Sequence, residues 1–547
     1  MTVNNDILKI FGDYVIKAIT IDNIDYIEVS KDKLKETIEY LTKEYNLHYI
    51  TSIGVDDRPL TRTLRVYHVF SRVVEDKFIV IGCSTDPHYP HVDSITPVVP
   101  AANWAEREIR DLLGIKFRGH PNLERLVLPD DWPEDIHPLR KDVPYNLRSV
   151  VEVKVTYPLK RPREHTVLPV GPYHPLLHEP EYFELYVDGE KVVDVEYRGF
   201  HVHRGIEKLG ESRLTYNQVP FVAERICGIC GFTHSTCYCQ AVEKAMKIHV
   251  PERAGYIRSI LLELERMHSH LLWIGVACHL LGFDTGFMHS WRIREHIMRL
   301  CERLTGNRKT YGLNLIGGVR RDINKDGVKK AINVLKMVKE ELKRFIECLL
   351  SLKEVKARLE GTGILPKNDA WKLGAVGPTL RASGIKYDVR ANHPYAAYKE
   401  ASFSIPVYTE GDNLARLLIR IDETLESISI IEQLLDKIPK GDILAKDIEV
   451  HEGKIGLSMT EAPRGENIHF VITGKDNILY RWKVRAPTYA NLPVLKVMLK
   501  ECPLSDAPIT IASIDPCFSC TDRVIVIDIK NGVMRVTSFK RLLRCKI

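Results

Sequence analysis

The chain has 547 residues, of which 44% are hydrophobic and 27% charged, and its 78 basic and 72 acidic side chains leave a formal net charge of only +6. That composition excludes collagen-like and wholly disordered chains, and it lacks the basic stripe that nucleic acid selects. A chain this long buries a large core without disulfides or a structural metal.

In chain order, KDKLKETIEYLTKEY reads as a helix, and LRVYHVFSRVV and KFIVIGCS read as strands rich in Val, Ile and Tyr. WAEREIRDLLGIKF reads as an amphipathic helix with acidic residues near its start. HPNLERLVLPDDWPEDIHPLRKDVPY is dense in proline and charge and reads as an ordered connection. Residues 146–165, with the strand-like run VVEVKVTY inside them, are the expected linker.

Beyond it, YFELYVDGEKVVDVEYR predicts a strand pair around an Asp-Gly turn. Four long segments then carry apolar residues at helical spacing: PERAGYIRSILLELERMHSHLLWIGVACHLLG, SWRIREHIMRLCERLTG, GVKKAINVLKMVKEELKRFIECLLSLKEVKARL and DNLARLLIRIDETLESISIIEQLLDKI. The last three start near Ser, Gly or Asp cap candidates. No period of repetition suggests a solenoid. The tail VIVIDIKNGVMRV returns to strand-like alternation around Asn-Gly. The expected fold is α+β: a small α/β domain (1–145), the linker, a larger mainly helical domain (166–523), and a C-terminal extension (524–547).

The opening MTVNNDILKIFG has no basic region leading into a small-residue cleavage site, so no secretory signal is expected. LLWIGVACHLLGF is too short for a span and contains His279. The twelve cysteines therefore read better as metal or redox residues than as a disulfide framework. Two CxxC pairs stand out: Cys227 and Cys230 in ERICGICGFTHS, and Cys517 and Cys520 in DPCFSCTDR. A three-residue offset brings two sulfurs to one side. Four thiolates suit zinc, an iron–sulfur cluster or another soft transition-metal centre. On spacing alone zinc or a cluster, a redox metal and unrelated pairs stand equally open. A helical domain lies between the pairs, which favours a buried catalytic centre over a zinc ribbon. Gly228 and Gly231 would let the backbone approach such a centre. His234, one turn after Cys230, could hydrogen-bond a sulfur, although a helix-facing histidine with a backbone partner is the bland alternative. Cys237, Cys239, Cys83, Cys278, Cys301, Cys348, Cys502 and Cys545 read as buried or incidental thiols.

RICGICxxxH at 225–234 with DPCxxCxxR at 515–523 resembles the large subunit of NiFe hydrogenases. HRGIEKL at 203–209, EAPRGE at 461–466, RAPT at 485–488 and the arginine at the end of the second cysteine motif are similar to the energy-converting, membrane-complex group. EREIRDLLGIKFRGHPNLERLVLP resembles the 30 kDa subunit of complex I. The fusion of the two resembles the large subunit of formate hydrogenlyase.

The resemblance implies a Ni–Fe centre, with CO and cyanide on iron. Cys227 and Cys517 would be terminal nickel ligands, and Cys230 and Cys520 would bridge the metals. It implies that Glu179, in GPYHPLLHEPEYF, is the proton-exit glutamate; an isolated Glu there would otherwise read as an ion-paired surface residue. Arg485 would stand above the open metal position as an electrostatic stabiliser, with Asp515 in the same polar canopy. A packing salt bridge is the bland alternative for Arg485. Many hydrogenases have His where this chain has Arg523, and that His helps a glutamate hold magnesium. Here Arg523 is expected to pair directly with Glu207, with no magnesium between them. Residues 524–547 match an extension removed by a dedicated protease after nickel insertion, with cleavage expected after Arg523.

The resemblance also implies an iron–sulfur small subunit to carry electrons, because the chain shows no dense ferredoxin-like cysteine run. Other complex I-like hydrophilic subunits, a membrane arm and maturation proteins are implied as partners. The expected location is cytoplasmic, against a membrane through those partners. No nicotinamide or flavin site is seen, and the N-terminal domain is expected to dock other subunits.

A metal-free, quinone-site scaffold of a complex I-like enzyme is the rival reading. That family shares GPxHP, and His178 falls where it places a quinone-contacting histidine, but it lacks both cysteine pairs. A zinc-stabilised assembly protein is the third reading.

Overall fold

The computed structural model describes residues 3–73, 75–128, 132–147, 165–171, 181–200, 203–446, 448–449 and 451–517, together with the backbone of 525–528 and 533–536. Near the N-terminus, β1 (Val15–Ile21), β2 (Ile24–Val29), β3 (His48–Asp57), β4 (Thr63–Arg72) and β5 (Lys77–Thr85) form a sheet in the order β1-β2-β5-β4-β3. Only the β2–β5 pair is parallel. Helix α1 (Leu34–Tyr45) buries Leu34, Thr37, Ile38 and Leu41, the three- and four-residue spacing of one face. Helix α2 (Asn103–Leu113) stops where Gly114 takes a left-handed turn at φ +79°. These elements share one core with Ile27, Val66, Phe70, Ile81 and Ile109. The expected linker run VVEVKVTY lies outside the described residues.

The second part begins with a small antiparallel sheet of β6 (Thr166–Val170), β7 (Tyr182–Asp188) and β8 (Lys191–Arg198), with β7 in the middle. The predicted hairpin is present, but Asp188 is its last strand residue. Gly189 and Glu190 make the turn, with Gly189 at φ +59°. Then come α3 (Ile206–Ser212), α4 (Gly231–Met246), α5 (Glu252–Leu280), α6 (Asp284–Thr305), α7 (Lys325–Ser351) and α8 (Asn413–Lys437). Helix α5 is buried nearly all round, from Ala254 to Cys278, which explains its continuous apolar run as a core helix. Among the described residues no helix is long and apolar enough to cross a membrane. Asp412 caps α8 by accepting from Ala415 N at 2.7 Å. Asn324, rather than a glycine, caps α7. The predicted helix through Leu359 breaks at Leu352, whose backbone is extended, and restarts at Lys353.

One sheet was not expected. Strands β9 (Ile455–Ala462), β10 (Gly465–Thr473) and β11 (Leu479–Arg485) form an antiparallel meander buried on both faces, against which α4 packs. It also joins the two halves of the molecule. Strand β3 is an edge of the N-terminal sheet, so its outward carbonyls need donors. Residues of β11 supply them: Arg485 Nε donates to Ile50 O (3.2 Å), Arg481 Nε to Gly54 O (2.8 Å) and Tyr480 Oη to Asp56 O (2.9 Å). Helix α9 (Ala507–Ser513) then leads to the second cysteine motif, and Ile525–Asp528 pairs antiparallel with Val533–Val536.

Candidate metal centre

Cys227 and Cys230 lie at the mouth of α4. Backbone N–H groups of Ile229 and Cys230 donate to Cys227 Sγ at 3.4 and 3.2 Å, so the loop itself wraps that sulfur. The first free N–H groups of the helix, on Phe232 and Thr233, donate to the Glu265 carboxylate at 2.8 and 2.9 Å. Burial, against these hydrogen bonds, pushes Glu265 up to about 7. Gly228 faces open space, whereas a Cβ on Gly231 would meet the Glu224 carbonyl at 2.4 Å. Gly231 therefore lets the helix start hard against the chain at Glu224.

Cys517 arrives from 290 residues downstream, and its sulfur stands 3.2 Å from Cys227 Sγ. All three described cysteines of the two motifs are buried with Ala462, and none is in a disulfide. Thr488 Oγ1 accepts from Cys517 N at 3.1 Å. Two residues earlier, Asp515 occupies the left-handed region at φ +53°, a conformation that its surroundings must hold in place.

Arg464 does the holding. Its Nε donates to Asp515 O at 2.6 Å, its Nη2 to Asp515 Oδ1 at 2.9 Å and its Nη1 to Ser269 Oγ at 3.2 Å. Burial opposes the guanidinium charge, yet Asp515, Cys227, Cys230 and Cys517 hold it well above its ordinary value. Arg464 sits in the two-residue turn of the β9–β10 hairpin, between the paired Ala462 and Gly465. Arg266 clamps that tip by donating to Glu461 O (2.6 Å) and Ala462 O (3.3 Å). Gly465, at φ +124°, passes so close to Gly377 that a Cβ would meet its nitrogen at 2.6 Å.

Arg485, expected above the thiols, is elsewhere. Its guanidinium binds the Glu466 carboxylate, Glu466 O and Ile50 O, so it closes the sheet junction. The reason is topological: Arg485 ends a strand opposite Ile468, while Arg464 occupies a hairpin tip. Asp515 is buried and pairs with Arg464. Glu207 does face cations, but those described are Arg481 (2.8 Å) and Lys483 (3.5 Å), with Val484 N donating at 3.0 Å. His234 is fully buried, with Nδ1 at 3.1 Å from His469 Nε2, and burial lowers it to about 4. Glu179, His178, Cys520, Arg523 and Cys545 lie outside the described residues. Cys237 and Cys239 are buried thiols, as are Cys83, Cys278, Cys301 and Cys502; Cys348 is exposed. Sequence reasoning overlooked Arg464, Glu265, His469 and Trp482, although the Pro-Arg-Gly of EAPRGE was a turn signal for the first.

Among the described residues no group of three or more His, Cys, Asp or Glu makes a metal cage by itself. The donor chemistry nevertheless fits a soft metal. The hydrogen bond with Cys227 and burial push the Cys230 thiol well up, with Arg464 pulling it down. Buried thiols in that state need added positive charge to become thiolates.

Residues 27–149 match the family described as respiratory-chain NADH dehydrogenase, 30 Kd subunit. Residues 204–284 match nickel-dependent hydrogenase, and residues 281–454 and 446–523 match respiratory-chain NADH dehydrogenase, 49 Kd subunit. Formate hydrogenlyase subunit 5 of Escherichia coli is 43% identical over 527 residues, 95% of this chain and 93% of that protein. The NADH-quinone oxidoreductase C/D polypeptide of Phocaeicola vulgatus is 33% identical, over 88% of this chain and 96% of that protein. Among solved structures, a chain of the membrane-bound sulfane sulfur reductase, an archaeal respiratory membrane complex, superposes with a TM-score of 0.63 at 34% identity, covering 67% of this chain and 100% of that one. The fold and the paired matches define a chain shared by hydrogenases and complex I-like enzymes. Within that class the chain belongs to the large subunits of energy-converting NiFe hydrogenases of the formate hydrogenlyase type, with an N-terminal region like the complex I 30 kDa subunit.

Proposed function

We propose that this chain is the catalytic subunit of a multisubunit NiFe hydrogenase that interconverts H2 with protons and electrons. The observation that carries the reading is the meeting of Cys227 and Cys517, from opposite ends of the helical body, in one buried pocket. Cys227, Cys230, Cys517 and Cys520 would hold a nickel–iron pair with CO and cyanide on iron. When bound, that pair supplies a soft redox site at which H2 splits heterolytically.

The protein's share is electrostatic and positional. Arg464 brings a fixed positive charge against the thiols, and two hydrogen bonds to Asp515 keep its planar group aimed. It stabilises negative charge and does not serve as a base. Buried side chains exclude water from the sulfurs, and Glu179 is the proposed carrier of protons out of the pocket. Glu207 needs no magnesium for neutralisation, because Arg481 and Lys483 already face it; Arg523 is proposed to add to that cation set. Electrons leave through an iron–sulfur partner subunit, within an assembly that includes complex I-like hydrophilic subunits and a membrane arm. The proposed location is the cytoplasmic side of a membrane, reached through those partners. Maturation proteins would load the metals, and a protease would then cut after Arg523. Formate, carbon monoxide or ferredoxin could each feed electrons to such an assembly.

Metal analysis and infrared spectroscopy of the chain made with its maturation proteins test this. Nickel and iron in equal amounts, with bands of metal-bound CO and cyanide, are expected. A metal-free chain would favour the complex I-like quinone scaffold, which the NADH-quinone oxidoreductase relative keeps in view; zinc alone would favour an assembly protein. Intact mass of nickel-loaded chain that still includes Ile547 would count against cleavage.

A further inference from the structure

Behind the cysteine pocket, three buried rings form a chain of hydrogen bonds that the metal reading does not use. The Trp482 indole Nε1 donates to His469 Nδ1 at 3.1 Å. His469 Nε2 in turn lies 3.1 Å from His234 Nδ1. All three side chains are at 0% exposure. Trp482 comes from β11, His469 from the facing strand β10, and His234 from the first turns of α4, which packs on that sheet.

Donor counting leaves one arrangement of protons. An indole nitrogen is a donor only, so His469 Nδ1 must be the bare nitrogen. The proton of a neutral His469 is then on Nε2, which donates to His234 Nδ1. That nitrogen is therefore bare too, and the proton of His234 is on Nε2. Protonating either ring would set N–H against N–H at 3.1 Å. Burial keeps both rings neutral, lowering His234 to about 4 and His469 well below its ordinary value. His234 Nε2 is buried with no hydrogen-bond partner among the described residues, and the residue's backbone N donates to Cys230 O at 3.3 Å, which seats the ring one turn from the cysteine loop.

We propose that Trp482 and His469 are positioning residues for the metal centre: the indole N–H locks both imidazoles in one tautomer, so that His234 always offers an N–H donor to the thiolate side of the pocket. This rests on the thiolate-held centre proposed above. A donor N–H on a metal-bound sulfur withdraws electron density from it. A free imidazole would split its population between two tautomers, one of which turns a lone pair toward the sulfurs. The lock removes that second form.

The test reads the tautomers directly. Long-range proton–nitrogen correlation spectra of the full, metal-free chain carrying isotope-labelled histidine assign the protonated nitrogen of each ring. Both His234 and His469 are expected to be protonated at Nε2 alone throughout about pH 5 to 8, the range in which ordinary histidines change charge. Trp482→Phe keeps the ring and deletes the donor, and a second tautomer is expected to appear at both histidines. Tyr238→Phe is the control. Tyr238 packs against the same indole and His469, but its hydroxyl donates to Tyr216 O, so this variant should keep the wild-type pattern. A wild-type His234 protonated at Nδ1, an unchanged pattern in Trp482→Phe, or the same loss in Tyr238→Phe would each overturn the proposal. Should Trp482→Phe not fold, His469→Leu serves instead, and His234 is expected to show both tautomers there. A single Nε2–H form at His234 in that variant would also overturn it. In metal-loaded enzyme, Trp482→Phe should shift the infrared bands of metal-bound diatomic ligands to lower wavenumber. The spectra of the metal-free chain stand whether or not nickel is ever bound, so failure of the lock and failure of the hydrogenase reading give different results.

Discussion

The loop with Cys227 and Cys230 and the segment with Cys517 meet sulfur to sulfur, but they are held in different ways. The early loop is built by its own element: a helix begins at Gly231, its first N–H groups are capped by Glu265, and backbone N–H groups wrap Cys227. Among the described residues, the late segment reaches the pocket outside any helix or strand. Asp515 is left-handed, and Arg464 and Thr488, both from elsewhere in the chain, tie the backbone down. One half of the centre is thus set by local folding, and the other closes on it through side chains. Under the metal-centre reading proposed above, that asymmetry lets the late half open for loading without unfolding a helix.

Arg464→Ala should break the late half most. It breaks the buried Arg464–Asp515 ion pair, a loss of about 3–5 kcal/mol, and it frees the left-handed turn before Cys517. Chemical denaturation should show that loss, and nickel content should fall with it. Arg485→Met sharpens the result. It also breaks a buried pair, with Glu466, but at the sheet junction. Stability should fall there too while nickel content holds. If Arg485→Met alone lost nickel, the assignment of Arg464 would be wrong.

The early half answers to pH. Burial raises Glu265 from its ordinary value of 4.5 to about 7, so the folded chain binds its proton more tightly than the unfolded one. A raised carboxyl contributes stability that is fully present below about 4.5 and is lost as pH rises through about 7. Across that window wild type should lose on the order of 2–3 kcal/mol from this group. Glu265→Gln should flatten the slope of stability against pH over the same range. An unchanged slope would mean that the cap is ionised throughout.

Much of this was legible in the sequence, for physical reasons that also mark the limit. Helix α1 shows apolar residues on one face, and Asp412 is where a cap for α8 belongs. The cysteine motifs stand out because few roles need two such pairs. The sheet of β9, β10 and β11 was missed because its strands are buried on both faces yet carry Glu461, Glu466, His469, Arg481 and Lys483. Period-two alternation of apolar and polar residues is the usual sign of a strand. Here buried charges, satisfied across the molecule by partners such as Arg381 and Glu108, erase it. Without that hairpin, the Pro-Arg-Gly turn signal alone did not set Arg464 at a tip apart from Arg485 at a strand end. Arg485 makes the packing ion pair that was its alternative reading, and Arg464, given no role from sequence, stands beside the thiols.

Thr488 offers the gentlest test of the contrast between the halves. Thr488→Val keeps the shape of the side chain and removes the oxygen that accepts from Cys517 N. A buried N–H left without an acceptor costs about 1–2 kcal/mol, less than the loss of Arg464. Because the bond lies in the late half, the cost should fall on closure and not on the helix: amide exchange near Cys517 should quicken while the protection of Phe232 and Thr233 stays as in wild type. Equal quickening at both places would mean that the two halves open together, and the asymmetry between a prebuilt loop and a closing segment would have to be given up.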